Sequence, residues 1–211
     1  MNSRYLLVTV GHTAAGKTTL SKYMRDNPKI VFKYIEEGQI KRDIIGSYLT
    51  SDSLNENLRD EAYGIAIDRA YELLPLNNVL IDASFHKYAR RLKVYEMLNK
   101  YTGEVPVIWF YCFCPNLSKV QKRIAERRKV AKAAENQADS MAIYYHIIDT
   151  FDTPDVSEIP SGIKGAIIYI NTDTNIIEKT VVNCGDEKLL DEVNRICMEI
   201  ERQQEVWKNR V

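Results

Sequence analysis

Cysteine is scarce in this chain of 211 residues: Cys112, Cys114, Cys184 and Cys197 form no CxxC pair, and no histidine is spaced with them for zinc. A zinc knuckle and a disulfide framework are therefore excluded as readings. The three histidines, His12, His86 and His146, make no metal or nucleophile constellation. Net charge is also absent, with 29 Lys+Arg against 29 Asp+Glu. A polycationic nucleic-acid or membrane binder is thus excluded, and any anion site has to come from a local patch. Long hydrophobic runs are lacking too: the apolar stretch from Tyr5 to Val10 stops at Gly11, too short for a signal-peptide core or a membrane span. A cytoplasmic protein without a membrane partner is the expectation.

What is present is an ordinary globular composition, 45% hydrophobic and 27% charged, in a length that suits one domain spanning 1–211. Apolar, β-branched runs at Tyr5–Val10, Ile30–Ile35, Asn78–Ala83, Val105–Phe113 and Ala166–Ile170 predict five strands. Between them lie segments with helical spacing, such as Leu54, Leu58, Ala62 and Ile65, or Leu189, Val193, Ile196 and Ile200. Continuous hydrophobicity within each strand means that both sheet faces are covered, as in a parallel sheet with α/β crossovers. Cys112 and Cys114, two apart in a strand, share a face and read as small hydrophobes. The long stretch from Arg128 to Gly165 suits a helical lid, about 123–160, and a covering helix is expected at about 185–207.

The strongest motif is Gly11-His12-Thr13-Ala14-Ala15-Gly16-Lys17-Thr18, which satisfies GxxxxGK[ST] after a strand and before a helix. Its glycines let successive amides point inward, and the helix N-terminus adds positive potential, so the turn suits a phosphate. Gly11, Thr13, Ala14, Ala15, Gly16, Lys17, Thr18 and Thr19 are the expected nucleotide contacts. Lys17 reaches for the β- and γ-phosphates and the Thr18 hydroxyl for magnesium. A second magnesium ligand is expected in Asp82, an acid at the carboxyl end of the run Val79-Leu80-Ile81. Asp82 also has the chemistry of a helix N-cap. Ala83 follows it, where motor-type ATPases generally carry a glutamate.

In these features the chain resembles the small P-loop kinases grouped with polynucleotide kinase, zeta toxin, chloramphenicol phosphotransferase and gluconate kinase. The resemblance covers roughly residues 5 to 170. It rests on the GHTAAGKTTL turn, the segment Ile40-Lys41-Arg42-Asp43-Ile44-Ile45-Gly46, the IDASF strand end and the arginine-rich helix 116–129. It implies a three-layer fold: a five-stranded parallel sheet in the order 2-3-1-4-5, helices on both faces, and a lid. It also implies ATP and Mg2+ as cofactors and transfer of the γ-phosphoryl to a hydroxyl, on nucleic acid or on a small metabolite. A nucleotide-binding regulatory ATPase without a small acceptor is the alternative. In that family a segment after the second strand commonly reads Asp-x-Ile-Arg, its Asp acting as base and its Arg orienting substrate. Here Gly38 stands at the Asp position and Lys41, with Arg42 beside it, at the Arg position. Glu37 becomes the candidate base, with Asp82 next; Glu36 and Glu37 would equally suit a helix start.

The basic run Lys119, Lys122, Arg123, Arg127, Arg128, Lys129 and Lys132 faces the single acid Glu126 before residue 135. By the same resemblance Arg123 and Arg127, one turn apart, are expected to act on the transferring phosphate, with Arg128 contacting nucleotide; a solvated helix face would look the same. A second cluster, His86, Lys87, Arg90, Arg91 and Lys93, nominates Arg91, with Lys41 and Arg42, for an anionic substrate. The turn Asn171–Asn175 either approaches adenine or is a polar connection, and the absence of Asn-Lys-x-Asp favours ATP over GTP. From Glu178 to Glu205 eight acids meet four bases, offsetting the basic lid.

Overall fold

A computed structural model describes residues 4–45, 56–101, 105–130 and 140–208. The apolar runs form strands β1 (Leu6–Val10), β3 (Val79–Asp82), β4 (Val107–Phe113) and β5 (Gly165–Asn171). Strand β2 is Lys33–Glu36, displaced toward the carboxyl side of the expected run because Asn27, Pro28 and Ile30 shape a turn. The helices are α1 (Lys17–Arg25), α2 (Glu37–Ile45), α3 (Glu56–Leu73), α4 (Tyr88–Asn99), α5 (Leu117–Val130), α6 (Met141–Asp149) and α7 (Glu187–Lys208). None of the described helices is long and apolar enough to cross a membrane.

The five parallel strands take the expected order, and a sixth, β6 (Ile176–Val182), joins β5 antiparallel, giving β2-β3-β1-β4-β5-β6. Alternate residues of each parallel strand enter opposite cores. Leu6, Val8 and Val10 pack with Ala62, Tyr63, Ala66 and Ile67 of α3 and Val94 and Leu98 of α4. Leu7, Leu80 and Ile108 pack with Leu20 and Met24 of α1 and with Leu189, Val193, Ile196 and Ile200 of α7. The α7 stripe is the one read from the sequence. On α3 the buried face is instead Arg59, Ala62, Tyr63, Ala66, Ile67 and Ala70, so Leu58 and Ile65 flank it; Leu54 lies outside the described residues. Two apolar layers around one sheet leave its carboxyl edge as the place where loops and helix starts converge.

Over residues 123–160, where a lid is expected, the chain holds the end of α5 and the whole of α6, and both pack on one small cluster. Helix α5 packs through Val120 and Ile124 against Ala14 and Cys114, and Met141 and Tyr144 of α6 close the same small cluster. Residues 131–139, including Lys132, lie outside the described residues, as does Gly46.

Candidate functional site

Gly11 leaves β1 with φ +148°, and a Cβ there would stand 2.2 Å from the carbonyl oxygen of Cys112 on β4. Only glycine lets the chain pass so close to a neighbouring backbone. The Gly11 amide donates to the Ser84 carbonyl at 3.0 Å, so the turn is tied to the strand on its other side as well. Ala14 (φ 60°) and Gly16 (φ 90°) then turn the loop into α1. Lys17 folds back along this loop, and Nζ donates to the carbonyls of Gly11 (3.0 Å) and His12 (2.8 Å). Its third N–H stays available for a phosphate oxygen. Burial lowers the Lys17 pKa, opposed by Asp82 and Glu37, with Arg127 pushing the same way as burial. Asp82, Glu37 and Arg127 therefore each sit within electrostatic range of Lys17.

His12 staples the loop to its surroundings. Its Nδ1 pairs with the Thr13 carbonyl at 2.8 Å, Nε2 accepts the Cys114 amide at 3.4 Å, and the ring meets Tyr144 of α6 edge-on at 5.2 Å. Burial, with Lys17 and Arg123 adding, holds its pKa down at about 4. A neutral ring with one donor and one acceptor nitrogen satisfies both contacts. Cys112 lies beneath, with burial pushing its thiol up to about 12.

Asp82 ends β3 and is 5% exposed. Thr9 Oγ1 donates to its Oδ1 at 2.9 Å and accepts the Ala83 amide at 3.0 Å, while Tyr34 Oη donates to Oδ2 at 3.0 Å. The aspartate is thus a fixed part of the sheet edge rather than a cap on α4, whose start lies at Tyr88. Glu36 of β2 pairs in register with Asp82, so Glu37, the first residue of α2, emerges just beyond it. Glu37 is buried.

The arginines divide. Arg123 points into the protein: Nη1 donates to the Ala14 carbonyl and Thr172 Oγ1, both at 3.0 Å, and Nη2 to the Thr172 carbonyl at 2.7 Å. With Gly16, Thr19, Tyr23, Thr172 and Asn175 it lines a recess of about 40 Å³ beside the loop. The Asn171–Asn175 turn connects β5 to β6 and, through Thr172 and Asn175, lines that recess. Arg127 is half-buried near Lys17, and Arg128 is exposed. Lys41 is half-buried on α2, and Arg42 pairs with Glu36 at 3.2 Å.

Arg91 is a correction. It is fully buried, and its guanidinium clasps Glu158 through Nε (2.8 Å) and Nη2 (2.7 Å) while Nη1 donates to the Phe85 carbonyl (2.8 Å). That guanidinium has no exposed surface and is held by Glu158 and the Phe85 carbonyl, so the fold itself accounts for it. Sequence reasoning overlooked Tyr34 and Thr9, whose single letters within strands carry no signal of their role, and reached Thr172 only as part of the Asn171–Asn175 turn.

Comparison with curated protein sequences finds no match. Among solved structures, the chain is similar to APE1195 (14% identity, 98% of each chain covered, TM-score 0.58). It is also similar to Kti12 of Chaetomium thermophilum in complex with ADP-AlF3 (17% identity, 80% of this chain and 89% of that one, TM-score 0.55). A third is the APS kinase CysC of Mycobacterium tuberculosis in complex with AMPPNP and APS (11% identity, 92% of this chain and 97% of that one, TM-score 0.55). At these identities the likeness is one of fold. The family model described as AAA domain matches residues 6–146, two-thirds of the chain and the part that holds the glycine turn, Asp82 and all of α5. By that match the chain belongs to the AAA domain family.

Proposed function

We propose that this protein is a kinase that moves the γ-phosphoryl group of ATP to a hydroxyl acceptor. The observation that carries the proposal is the phosphate turn with Lys17 folded along it, set beside Asp82 at the carboxyl end of β3 and Glu37 just past the end of β2. The turn from Gly11 to Thr19, with Thr13 and Ala15 among its amides, holds the phosphates, and Lys17 uses its remaining donor on them. The base lies toward the recess between Arg123 and the Thr172–Asn175 turn. Oxygen ligands suit magnesium, and the exposed Thr18 hydroxyl with the Asp82 carboxylate are such ligands at the mouth of the turn. Those two residues would hold the ion, which neutralises charge on the phosphate oxygens when bound.

Glu37 is the base in this reading. Both Asp82 oxygens already accept hydrogen bonds from Thr9 and Tyr34, which leaves Asp82 poorly disposed to take a proton. As the acceptor oxygen attacks the γ-phosphorus, Glu37 takes its proton and the bond to the β–γ bridging oxygen breaks, releasing ADP. Lys17 and Arg127 hold the charge on the phosphoryl oxygens in a partly dehydrated setting, where fixed cations count for most. Arg123 positions the loop and the base recess, and Arg128, at the outer face of α5, lies beside the nucleotide. Lys41 faces the acceptor, with Arg42 set by Glu36.

The test is transfer from γ-labelled ATP with the full chain, screening oligonucleotide 5′-hydroxyls, nucleosides, sugars and hydroxylated antibiotics. Label should move to one class, vanish with Lys17→Ala, and slow sharply with Glu37→Gln while ATP still binds. Hydrolysis indifferent to every acceptor would favour the regulatory ATPase instead.

A further inference from the structure

Away from the phosphate turn, a single carboxylate lies in a cradle of cations drawn from three parts of the fold. Glu56, the first residue of α3, accepts from Lys87 Nζ (2.7 Å) and Arg90 Nη2 (2.7 Å) on one oxygen. Its other oxygen accepts from Arg59 Nη1 (3.1 Å) and lies 3.5 Å from Nε2 of His146 on α6. Arg90 also donates through Nε to Asp60 at 2.8 Å.

Among the described residues the charges do not cancel: Arg59, Lys87 and Arg90 carry three positive charges against the two carboxylates of Glu56 and Asp60. The two guanidiniums are almost wholly buried, with side chains 7% and 2% exposed, whereas Glu56 is 33% exposed. Burying guanidiniums is costly, and an ion network that served only the fold would do better with matched charges. What the described residues make instead is a set of converging N–H donors with one cation in excess, occupied by the partly exposed Glu56 carboxylate. Several N–H donors converging on two oxygens is the geometry by which such forks hold a phosphate or a carboxylate group.

Two of the cradle's cations stand where the chain continues from β3: Lys87 and Arg90 follow Asp82 by five and eight residues, at the start of α4. Arg90 stacks over the Tyr63 ring at 4.5 Å, and burial pushes the Tyr63 phenol up to about 12, with Glu37 adding. Tyr63 Oη accepts the Phe85 amide at 3.2 Å, in the segment between Asp82 and α4, and α2, which begins at Glu37, packs along α3.

We propose that the acceptor is a small hydroxylated anion whose phosphate or carboxylate group displaces the Glu56 side chain and binds Arg59, Lys87 and Arg90. This rests on the kinase reading, since it presents the acceptor's hydroxyl toward Glu37. Glu56 is then a resident competitor that keeps the cations ordered and yields to the substrate.

The test uses the full chain saturated with MgADP, so that the phosphate turn is filled, and titrates glycerol 3-phosphate, D-glycerate and uncharged glycerol by calorimetry. One or both anions should bind and glycerol should not; which anion binds separates phosphate from carboxylate. Lys87→Met should weaken that binding about tenfold or more, the loss of one charged hydrogen bond. Glu56→Gln should tighten it and should lower the melting temperature in a way the same anion restores. Binding of neither anion, or binding that both variants leave unchanged, overturns the proposal. Should Glu56→Gln fail to fold, Lys87→Met decides alone. Failure to bind MgADP in the same samples would instead count against the kinase reading, and the anion titrations would still score the cradle.

Discussion

Tyr34 Oη donates to Asp82 Oδ2 across 3.0 Å, from the edge strand β2 to the end of its neighbour β3, with the Arg25 guanidinium stacked 4.3 Å over the Tyr34 ring. Burial and the Asp82 charge both raise the phenol's pKa, so it remains a donor throughout the usable pH range. Replacing Tyr34 by Phe keeps the packing and removes that one donor. We expect a stability loss of about 1.5–3 kcal/mol by urea unfolding, as for a hydrogen bond to a charged group. The magnesium concentration needed for half-maximal ATP turnover should shift as well, because Asp82 loses one of its two restraints.

Two glycine substitutions should have opposite signs. Gly11→Ala puts a methyl 2.2 Å from the Cys112 carbonyl oxygen, a backbone atom that cannot rotate away, at φ +148°. A loss of about 3 kcal/mol or more is expected, or no soluble protein at all. Gly64→Ala lies within α3 where nothing stands within 4 Å of the new methyl. It should stabilise the chain by about 0.5–1 kcal/mol. Equilibrium unfolding of the two variants beside the parent checks both.

Glu158→Gln would leave the fully buried Arg91 short of its counter-charge while removing nothing from the phosphate turn. Stability should fall by about 3 kcal/mol or more and the melting temperature by roughly 6–12 °C. ATP affinity, read by fluorescence titration, should hold. A large loss of affinity with a small loss of stability would return Arg91 to the binding site.

Stability should also decline on mild acidification. Burial holds His12 at about 4 and His86 at about 3, against an ordinary value of 6.5. The unfolded chain therefore takes up protons at these sites near pH 6.5 while the folded chain refuses them, so stability is full above that pH and is lost as pH falls toward 4 and 3. Each histidine contributes on the order of 3 kcal/mol or more over its whole window. Glu56 acts in the same direction lower down. Against an opposing cost of burial, Lys87, Arg59 and Arg90 hold it at about 2, so its share is lost only below about pH 4.5. Melting curves between pH 7 and 4.5 should thus fall steadily, and His86→Gln should flatten the slope.

The carboxyl-edge elements were open to reading because each is local. The Gly11–Thr18 turn, the end of β3 at Asp82, and the α7 stripe of Leu189, Val193, Ile196 and Ile200 are patterns within a dozen residues, governed by backbone geometry or a single periodicity. Strand β6 escaped because Ile176–Val182 is an edge strand whose Glu178 and Lys179 face water, which breaks a run of apolar letters. The arginines escaped for another reason. Arg91 and Glu158 are 67 residues apart, and Arg123 finds Thr172 across 49; a buried, paired arginine and a solvated one are written alike. Burial of charge is a property of the fold, not of the neighbouring letters, so Arg59 and Arg90 sank into the interior unannounced.

The hairpin from β5 to β6 has a consequence for the molecule among its own kind. An apolar strand such as β5, Gly165–Asn171, left at the margin of a sheet would offer a row of free amides and carbonyls to any other copy. Strand β6 takes up that row, breaks register at Tyr169/Ile170, and turns Glu178 and Lys179 outward. Irregular, charged margins of this kind discourage strand-to-strand growth between molecules. The same seven residues that went unnoticed in the sequence thus guard this side of the protein against aggregation at high concentration.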